Sequence, residues 1–277
     1  MTTGKGAHSA QVAGDGSPSA AERGSSPGPD LDERLDALEE DAARLGQLEG
    51  MVRQAARLVK DSQELVYFHK IRDEGFHRAA NEVIESGRTL LEKDRLWTLW
   101  QAAKAVARLG LPAVEVGSFK GGSAYFLATA FLAAVGKELP VHVVDTFEGH
   151  PASKIGKDEP KQVVGQFSRT SYDDVREYLS HFAKIKVHKG EFTTVVSKLK
   201  DERYGLAHID VDLRESTLDC LEFFGPRMER GGVIVLDDFQ AAKCPGVEAA
   251  AEDYLAGDDS FQSWIPRTEQ LVLIKVA

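Results

Sequence analysis

Short runs rich in Val, Ile and Leu recur after residue 111, at Ala113 to Val116, Val141 to Val144, Ile185 to His188, Leu206 to Ile209, Val233 to Leu236 and Leu271 to Val276. Between them lie stretches with helical spacing, starting near Ser123, Ser171, Ser216 and Gly246. Strands alternating with helices predict βαβ crossovers, and hence an α/β fold with a doubly wound, mostly parallel sheet covered on both faces. Upstream, residues 94–109 place Leu96, Trp100, Ala103 and Ala107 on one helical face, with Gly110 as the stop and Pro112 just beyond. Trp97 and Trp100 read as packing residues of that helix. From Asp30, the residues Leu31, Leu35, Leu38, Ala42, Leu45 and Val52 fall near a four-three spacing, with acidic residues on the other faces. This amphipathic helix must cover either its own domain or a second subunit, so homo-oligomerisation through the N-terminal helices is a candidate. The first thirty residues hold fourteen Gly, Ser or Pro, and their large apolar side chains are Met1 and Val12 alone. Nothing there offsets the entropy of ordering. The expected organisation is a disordered tail over 1–30, a helical N-terminal region or lid over 31–110, and a sheet domain over 111–277.

Composition narrows the function classes. The 277 residues carry 34 Lys and Arg against 44 Asp and Glu, a formal net charge of −10. A nucleic-acid partner is therefore not expected, because phosphate neutralisation supplies most nonspecific affinity. No apolar run approaches the ~20 residues of a membrane helix, and the N-terminus lacks the features of a secretory signal or transit peptide. Two cysteines, Cys220 and Cys244, make neither a disulfide framework nor a CxxC metal site. The expected setting is a reducing cytoplasm.

In doubly wound sheets ligands sit outside the carboxyl ends of the strands, near the topological switch point. The first strand runs into Glu115-Val116-Gly117-Ser118-Phe119-Lys120-Gly121-Gly122-Ser123. Glycines let backbone approach a ligand, and the next helix offers free N–H groups. This loop is either a cofactor cradle or a tight structural turn, and it matches neither G-x-G-x-x-G nor a P-loop. The second strand ends in Val144-Asp145-Thr146-Phe147-Glu148-Gly149. Asp145, 28 residues after Gly117 (145 − 117), can accept hydrogen bonds from both hydroxyls of a ribose, or cap the following turn. Two more strands end in carboxylates, Asp210 on one and Asp237-Asp238 on the other. If those strands are adjacent, about 4.8 Å apart, the carboxylates crowd, and like charges resist joint ionisation unless a cation joins them. Three hard oxygen donors suit Mg²⁺; the alternative is that Asp237 or Asp238 caps the following segment and Asp210 accepts backbone N–H bonds.

These residues resemble a known family. Val114-Glu115-Val116-Gly117 through Gly121-Gly122-Ser123, then Val144 to Gly149, then His208-Ile209-Asp210-Val211-Asp212-Leu213 with Glu215-Ser216-Thr217, and finally Gly231-Gly232 with Asp237-Asp238-Phe239 look like the macrocin O-methyltransferases. These are class I, S-adenosylmethionine-dependent enzymes of antibiotic biosynthesis. The resemblance reaches weakly back to Gly87-Arg88-Thr89-Leu90-Leu91 and Arg95-Leu96, roughly the last two hundred residues in all. It implies methyl transfer to a hydroxyl, commonly on a sugar of a glycosylated small-molecule natural product, assisted by Mg²⁺. It further implies that Glu115, Gly117 and Ser123 hold the amino-acid end of the cofactor and Asp145 its ribose. Thr146, Phe147 and Asp210 would lie alongside, Gly190-Glu191-Phe192 near the adenine, and Asp210, Asp237 and Asp238 on the metal. The chain departs from the family at Val211 and Arg214, where relatives often carry Gly and Tyr.

Sulfonium methyl transfer needs an alkoxide-like oxygen in line with the S–CH₃ bond. A divalent ion chelated by neighbouring hydroxyls lowers the acceptor's pKa and positions it, and a base completes the step. Asp210, Glu148 and His150 are the candidate bases. Two other readings use the same loops: a metal-dependent hydroxylase of the cephalosporin-tailoring type, and a non-catalytic S-adenosylmethionine-binding subunit.

Overall fold

The computed structural model describes residues 71–277 except 158, together with 35, 38, 39 and 42–55. The expected strands form as β1 (Ala113–Val116), β2 (Val141–Asp145), β3 (Ile185–Lys189), β4 (Tyr204–Ile209), β5 (Met228–Leu236) and β7 (Leu271–Lys275). A seventh, β6 (Phe261–Trp264), was not legible because three of its four residues are exposed and no apolar alternation marks them. The helices are α1 (42–55), α2 (Glu74–Glu85), α3 (Lys93–Val106), α4 (Gly122–Val135), α5 (Tyr172–Tyr178), α6 (Phe192–Val195), α7 (Arg214–Phe224) and α8 (Pro245–Leu255).

The strands pair in the order β3-β2-β1-β4-β5-β7-β6. β3 through β5 are parallel neighbours, and β7 enters antiparallel between β5 and β6. The doubly wound α/β expectation therefore holds, with the switch point between β1 and β4. Alternation sorts the buried side chains onto two faces. Val114, Val116, Ala207, Ile209, Ile234 and Leu236 point into a core with Cys220, Leu221 and Phe224 of α7. On the other face α2, α3 and α4 pack together, with α3 also against β4 and β5. Helix α4, Gly-Ser-Ala-Tyr-Phe-Leu-Ala-Thr-Ala-Phe-Leu-Ala-Ala-Val, is apolar almost all round, as a helix covered on both sides must be.

One compact unit runs from His69 to Ala277, the other over 1–68. The helical stretch expected ahead of the sheet domain is thus divided. Helices α2 and α3 belong to the sheet unit because Phe76, Ala79, Ala80 and Val83 of α2 and Leu96, Leu99 and Trp100 of α3 are buried there. Trp100 sits 5.5 Å from Phe126 and 6.0 Å from Phe76, ring centre to ring centre, confirming a packing role. In α1, Leu45, Leu48, Met51 and Val52 are exposed. The expected tail over 1–30 and Leu31 of the apolar stripe lie outside the described residues.

Asp73 joins α2 to α3. One carboxylate oxygen caps α2 by accepting from the Phe76 N–H at 3.0 Å, and the other accepts from Trp100 Nε1 at 2.9 Å and Lys104 Nζ at 2.8 Å. Burial opposes the charged form, but these donors outweigh it and bring the Asp73 pKa from 3.8 down to about 2. A carboxyl whose folded pKa is depressed contributes stability that is complete above its unfolded pKa and is lost as pH falls through the folded one. Asp73→Ala should cost about 1–2 kcal/mol at neutral pH. Urea denaturation over a pH series should show that deficit shrinking as pH falls from 3.8 toward about 2.

Candidate active site

Strand register decides what meets at the carboxyl edge. Val116 is level with Ile209, and Ile209 with Leu236. The ladder continues one residue further, since the Asp210 N–H donates to Val116 O and the Asp237 N–H to Ile209 O, each at 2.9 Å. Gly117, Asp210 and Asp237 therefore leave the sheet side by side. Gly117 has φ +87°, and a Cβ there would lie 1.7 Å from the Asp210 carbonyl oxygen. Only glycine lets the β1 loop pass this close to β4.

The β1 loop is held by Asp145. Its Oδ2 accepts from the N–H groups of Ser118 and Phe119, both at 2.8 Å, and its Oδ1 from Phe147 N–H at 2.7 Å. Burial nevertheless raises its pKa against those three donors. Beneath the loop, Glu115 on β1 faces His208 on β4, with Oε1 3.0 Å from Nδ1 and both side chains fully buried. Glu115 Oε2 and His208 Nε2 have no partner.

Asp210, Asp237 and Asp238 each place a carboxylate oxygen within 4.8 Å of the others. Arg95 of α3 reaches them: its Nη1 bonds Asp237 Oδ2 and, at 2.8 Å, Asp238 Oδ1, while Nη2 bonds Glu269 at 3.2 Å. Gln270 Nε2 donates to the remaining oxygen of Asp237 at 2.7 Å. Burial and the neighbouring Asp237, Asp212 and Asp238 charges push Asp210 well above the ordinary carboxylate range, against Arg95. Burial and Asp237 push Asp238 up to about 6. Asp212 stays low despite burial because His150 bonds it, Nε2 to Oδ2 at 3.1 Å. Asp212, Asp238 and Glu269 all hold φ between 55° and 60°, and Phe119 at 50° and Phe147 at 56° are left-handed too. Each left-handed non-glycine residue costs of order 1 kcal/mol, and such strain collects at functional sites.

The other expected residues fall differently. Thr146 shapes its own turn, donating to Gly149 O at 2.9 Å and accepting from Glu148 N–H at 3.1 Å. Glu148 is exposed and pairs with Lys189 at 3.0 Å, so the structure does not bring it to the acidic group. Ser123 is buried in the first turn of α4. Gly190, with φ +146°, donates its N–H to Asp145 O at 2.9 Å. Phe192 turns away from the edge into the core, its ring 5.3 Å from Phe224 and 5.5 Å from Phe223. Sequence reasoning missed Arg95, Asp212, Cys244 and Gln270 as members of the site. The nearness of Asp212 to Asp210 in the Asp-Val-Asp run is the one local hint, although β4 ends at Ile209 and Asp212 is left-handed; no local pattern marks the other three.

This fold, with a glycine-bearing β1 loop bonded to an acidic residue ending β2 and carboxylates ending β4 and β5, defines a class I methyltransferase. The macrocin O-methyltransferase family (TylF) matches residues 38–260, and the chain belongs to it. It is an S-adenosylmethionine-dependent O-methyltransferase. Among relatives, it is 28% identical over 181 residues to the 8-demethyl-8-(2,3-dimethoxy-alpha-L-rhamnosyl)-tetracenomycin-C 4'-O-methyltransferase of Streptomyces olivaceus, covering 60% of this chain and 67% of the relative. It is 24% identical to the demethyldecarbamoylnovobiocin O-methyltransferase of Streptomyces niveus, covering 71% and 77%. In fold it is similar to the O-methyltransferase NovP, with TM-score 0.57 and 22% identity over 69% of this chain and 83% of that one. It is also similar to the calicheamicin methyltransferase CalS11, with TM-score 0.55 and 16% identity over 74% and 94%. No described helix is long and apolar enough to cross a membrane.

The crossing at Gly117 yields a sharp contrast. Gly117→Ala forces a methyl into a backbone carbonyl and should cost more than about 3 kcal/mol. Gly136→Ala, at φ +67° with nothing within 4 Å, should cost only about 1 kcal/mol. Soluble yield and thermal melting of the two variants measure the difference.

Proposed function

We propose that this enzyme methylates a hydroxyl of a glycosylated small-molecule natural product, with S-adenosylmethionine in the crevice beside β1 and β2 and Mg²⁺ at Asp210, Asp237 and Asp238. The observation that carries the metal is the crowding of three carboxylates within 4.8 Å, with Asp237 buried and Asp210 driven toward its neutral form by desolvation and by the others. A hard divalent cation relieves that repulsion, and the donor set is all oxygen. Arg95 neutralises only part of the charge, since it is one guanidinium among four aspartates and Glu269. When bound, the cation would acidify and orient acceptor hydroxyls. The names of the relatives, which include sugar O-methyltransferases, support the acceptor class.

For the cofactor, Asp145 serves first as the brace of the β1 loop. Its Oδ1 carries one donor where Oδ2 carries two, so Oδ1 is the oxygen left to take a ribose hydroxyl. Glu115 Oε2, buried and unpartnered, is the acceptor for an ammonium at the cofactor's amino-acid end. Among the three candidate bases, His150 has the best geometry. Asp212 holds its Nε2, its Nδ1 has no partner, and the side chain is buried. An imidazole oriented by a carboxylate and free at its other nitrogen can take a hydroxyl proton.

Three measurements test this reading. Turnover on glycosylated acceptors should stop in EDTA and return with Mg²⁺; full activity in EDTA sinks the metal. Asp237→Asn should lower turnover and cation affinity by about 10-fold or more while S-adenosylmethionine binding by calorimetry survives. His150→Gln should lower kcat by about 10²-fold or more with cofactor affinity unchanged; an unaltered kcat moves the base to Asp210.

A further inference from the structure

The carboxylates at the ends of β4 and β5 are held by a cation of the protein's own. Arg95 Nη1 donates to Asp237 Oδ2 and, at 2.8 Å, to Asp238 Oδ1, so a single nitrogen sits where two members of the acidic group converge. The other oxygen of Asp237 is engaged as well, accepting from Gln270 Nε2 at 2.7 Å. The second guanidinium nitrogen, Nη2, bonds Glu269 Oε2 at 3.2 Å. The two anchors differ in setting. The Asp237 side chain is 1% exposed and that of Glu269 57%, with Arg95 between them at 19%.

A divalent ion at the aspartates needs the oxygens that Nη1 holds. Ions of the Mg²⁺ type bind carboxylate oxygen at about 2.0–2.1 Å, and a guanidinium left on the same oxygens repels them. Removing Arg95 to a place without a counter-ion is also disfavoured, because a part-buried charge that loses its partner is strongly destabilising. Glu269 meets that need. It already bonds the guanidinium, and its position is fixed because the next residue, Gln270, bonds Asp237.

We propose that Arg95 is a built-in competitor for the cation site: without an ion it neutralises Asp237 and Asp238, and on ion binding it withdraws onto Glu269. The proposal rests on the Mg²⁺ reading above and adds to it the residues that set the affinity. Its two consequences have opposite signs. Removing the competitor tightens cation binding, whereas removing its resting place loosens it. A residue that merely braced the aspartates would loosen binding when removed.

Mn²⁺, which favours the same all-oxygen donor sets, is the probe, titrated into the full chain with the free ion followed by electron paramagnetic resonance. Arg95→Met should bind Mn²⁺ about tenfold or more tightly than wild type, since the competent state is otherwise only the fraction with Arg95 withdrawn. Glu269→Gln should bind it about threefold more weakly. In the Arg95→Met background the Glu269 change should have no effect, because the group it receives is gone. In EDTA, Arg95→Met should melt below wild type, and saturating Mn²⁺ should raise its melting temperature by more than it raises that of wild type. Weaker binding by Arg95→Met, or an equal effect of Glu269→Gln in both backgrounds, overturns the proposal while the Mg²⁺ reading stands. Should Arg95→Met fail to fold, Glu269→Gln, a change at an exposed carboxylate, decides alone: wild-type Mn²⁺ affinity overturns the proposal. No Mn²⁺ binding by wild type and Arg95→Met alike overturns both readings.

Discussion

The carboxyl edge of β4 and β5 concentrates more negative charge in a buried place than the fold can neutralise by itself. The crowding is not a matter of side-chain choice alone. Parallel register sets Ile209 level with Leu236, so the residues that follow, Asp210 and Asp237, must emerge together, and Asp238 comes next. Asp212 returns toward the same point through a left-handed turn at its own Cα. Ionising all four costs more than any one hydrogen bond returns. The elevated affinity of Asp210 and Asp238 for protons is the consequence.

Other parts of the molecule are arranged around that charge. Arg95 comes from α3, a helix on one face of the sheet, and crosses to the edge to bridge Asp237, Asp238 and Glu269. Glu269 and Gln270 sit at the entry of β7, the strand that runs antiparallel beside β5, so the reversal of direction delivers the start of β7 to the end of β5. The polar group thereby fastens α3 and β7 to the parallel half of the sheet. That order comes at the expense of left-handed backbone at Asp212, Asp238 and Glu269.

Most of the scaffold was legible because β-branched runs and glycine stops are local signals. Ala113 to Val116 and the stop at Gly110 need only their neighbours to be read, and the first has the same bounds in the structure. The edge positions of Asp145, Asp210 and Asp237 followed from strand ends. What depends on distant partners was not legible. Glu148 looked like a base in its motif, yet its carboxylate lies on the solvent side against Lys189. For Phe192, expected near the adenine, the packing against Phe223 and Phe224 of α7 could not be read from its own segment. Arg95 lies 142 residues from Asp237, and no periodicity encodes that contact. Helix α2 lies inside the helical region expected over 31–110, though its bounds, set by the Asp73 cap and the burial of Phe76, Ala79, Ala80 and Val83, were not delimited there.

The segment between β2 and α5 is long for a loop without regular structure, and its anchors explain its order. Lys154 is buried among Glu215 at 2.5 Å, Asp219 at 2.8 Å and Glu191 at 3.7 Å. Glu159 accepts from the N–H groups of Gly156 and Arg214, both at 2.7 Å, and so caps α7 from outside where Leu213 cannot. Gln162 donates to Lys243 O at 3.0 Å, and Thr170 bonds Phe119 O. The loop is thus stitched to the starts of α7 and α8 and to the β1 loop, the elements that surround the carboxylates. Between the stitches it presents Val163 and Val164 to solvent. Arg214 contributes its backbone N–H to Glu159 and its guanidinium to Asp253. A change at 214 therefore acts on how this loop is seated rather than on the carboxylates. The loop meets the carboxylates elsewhere, through His150 on Asp212 and through Gln162 on Cys244, whose thiol donates to Asp212.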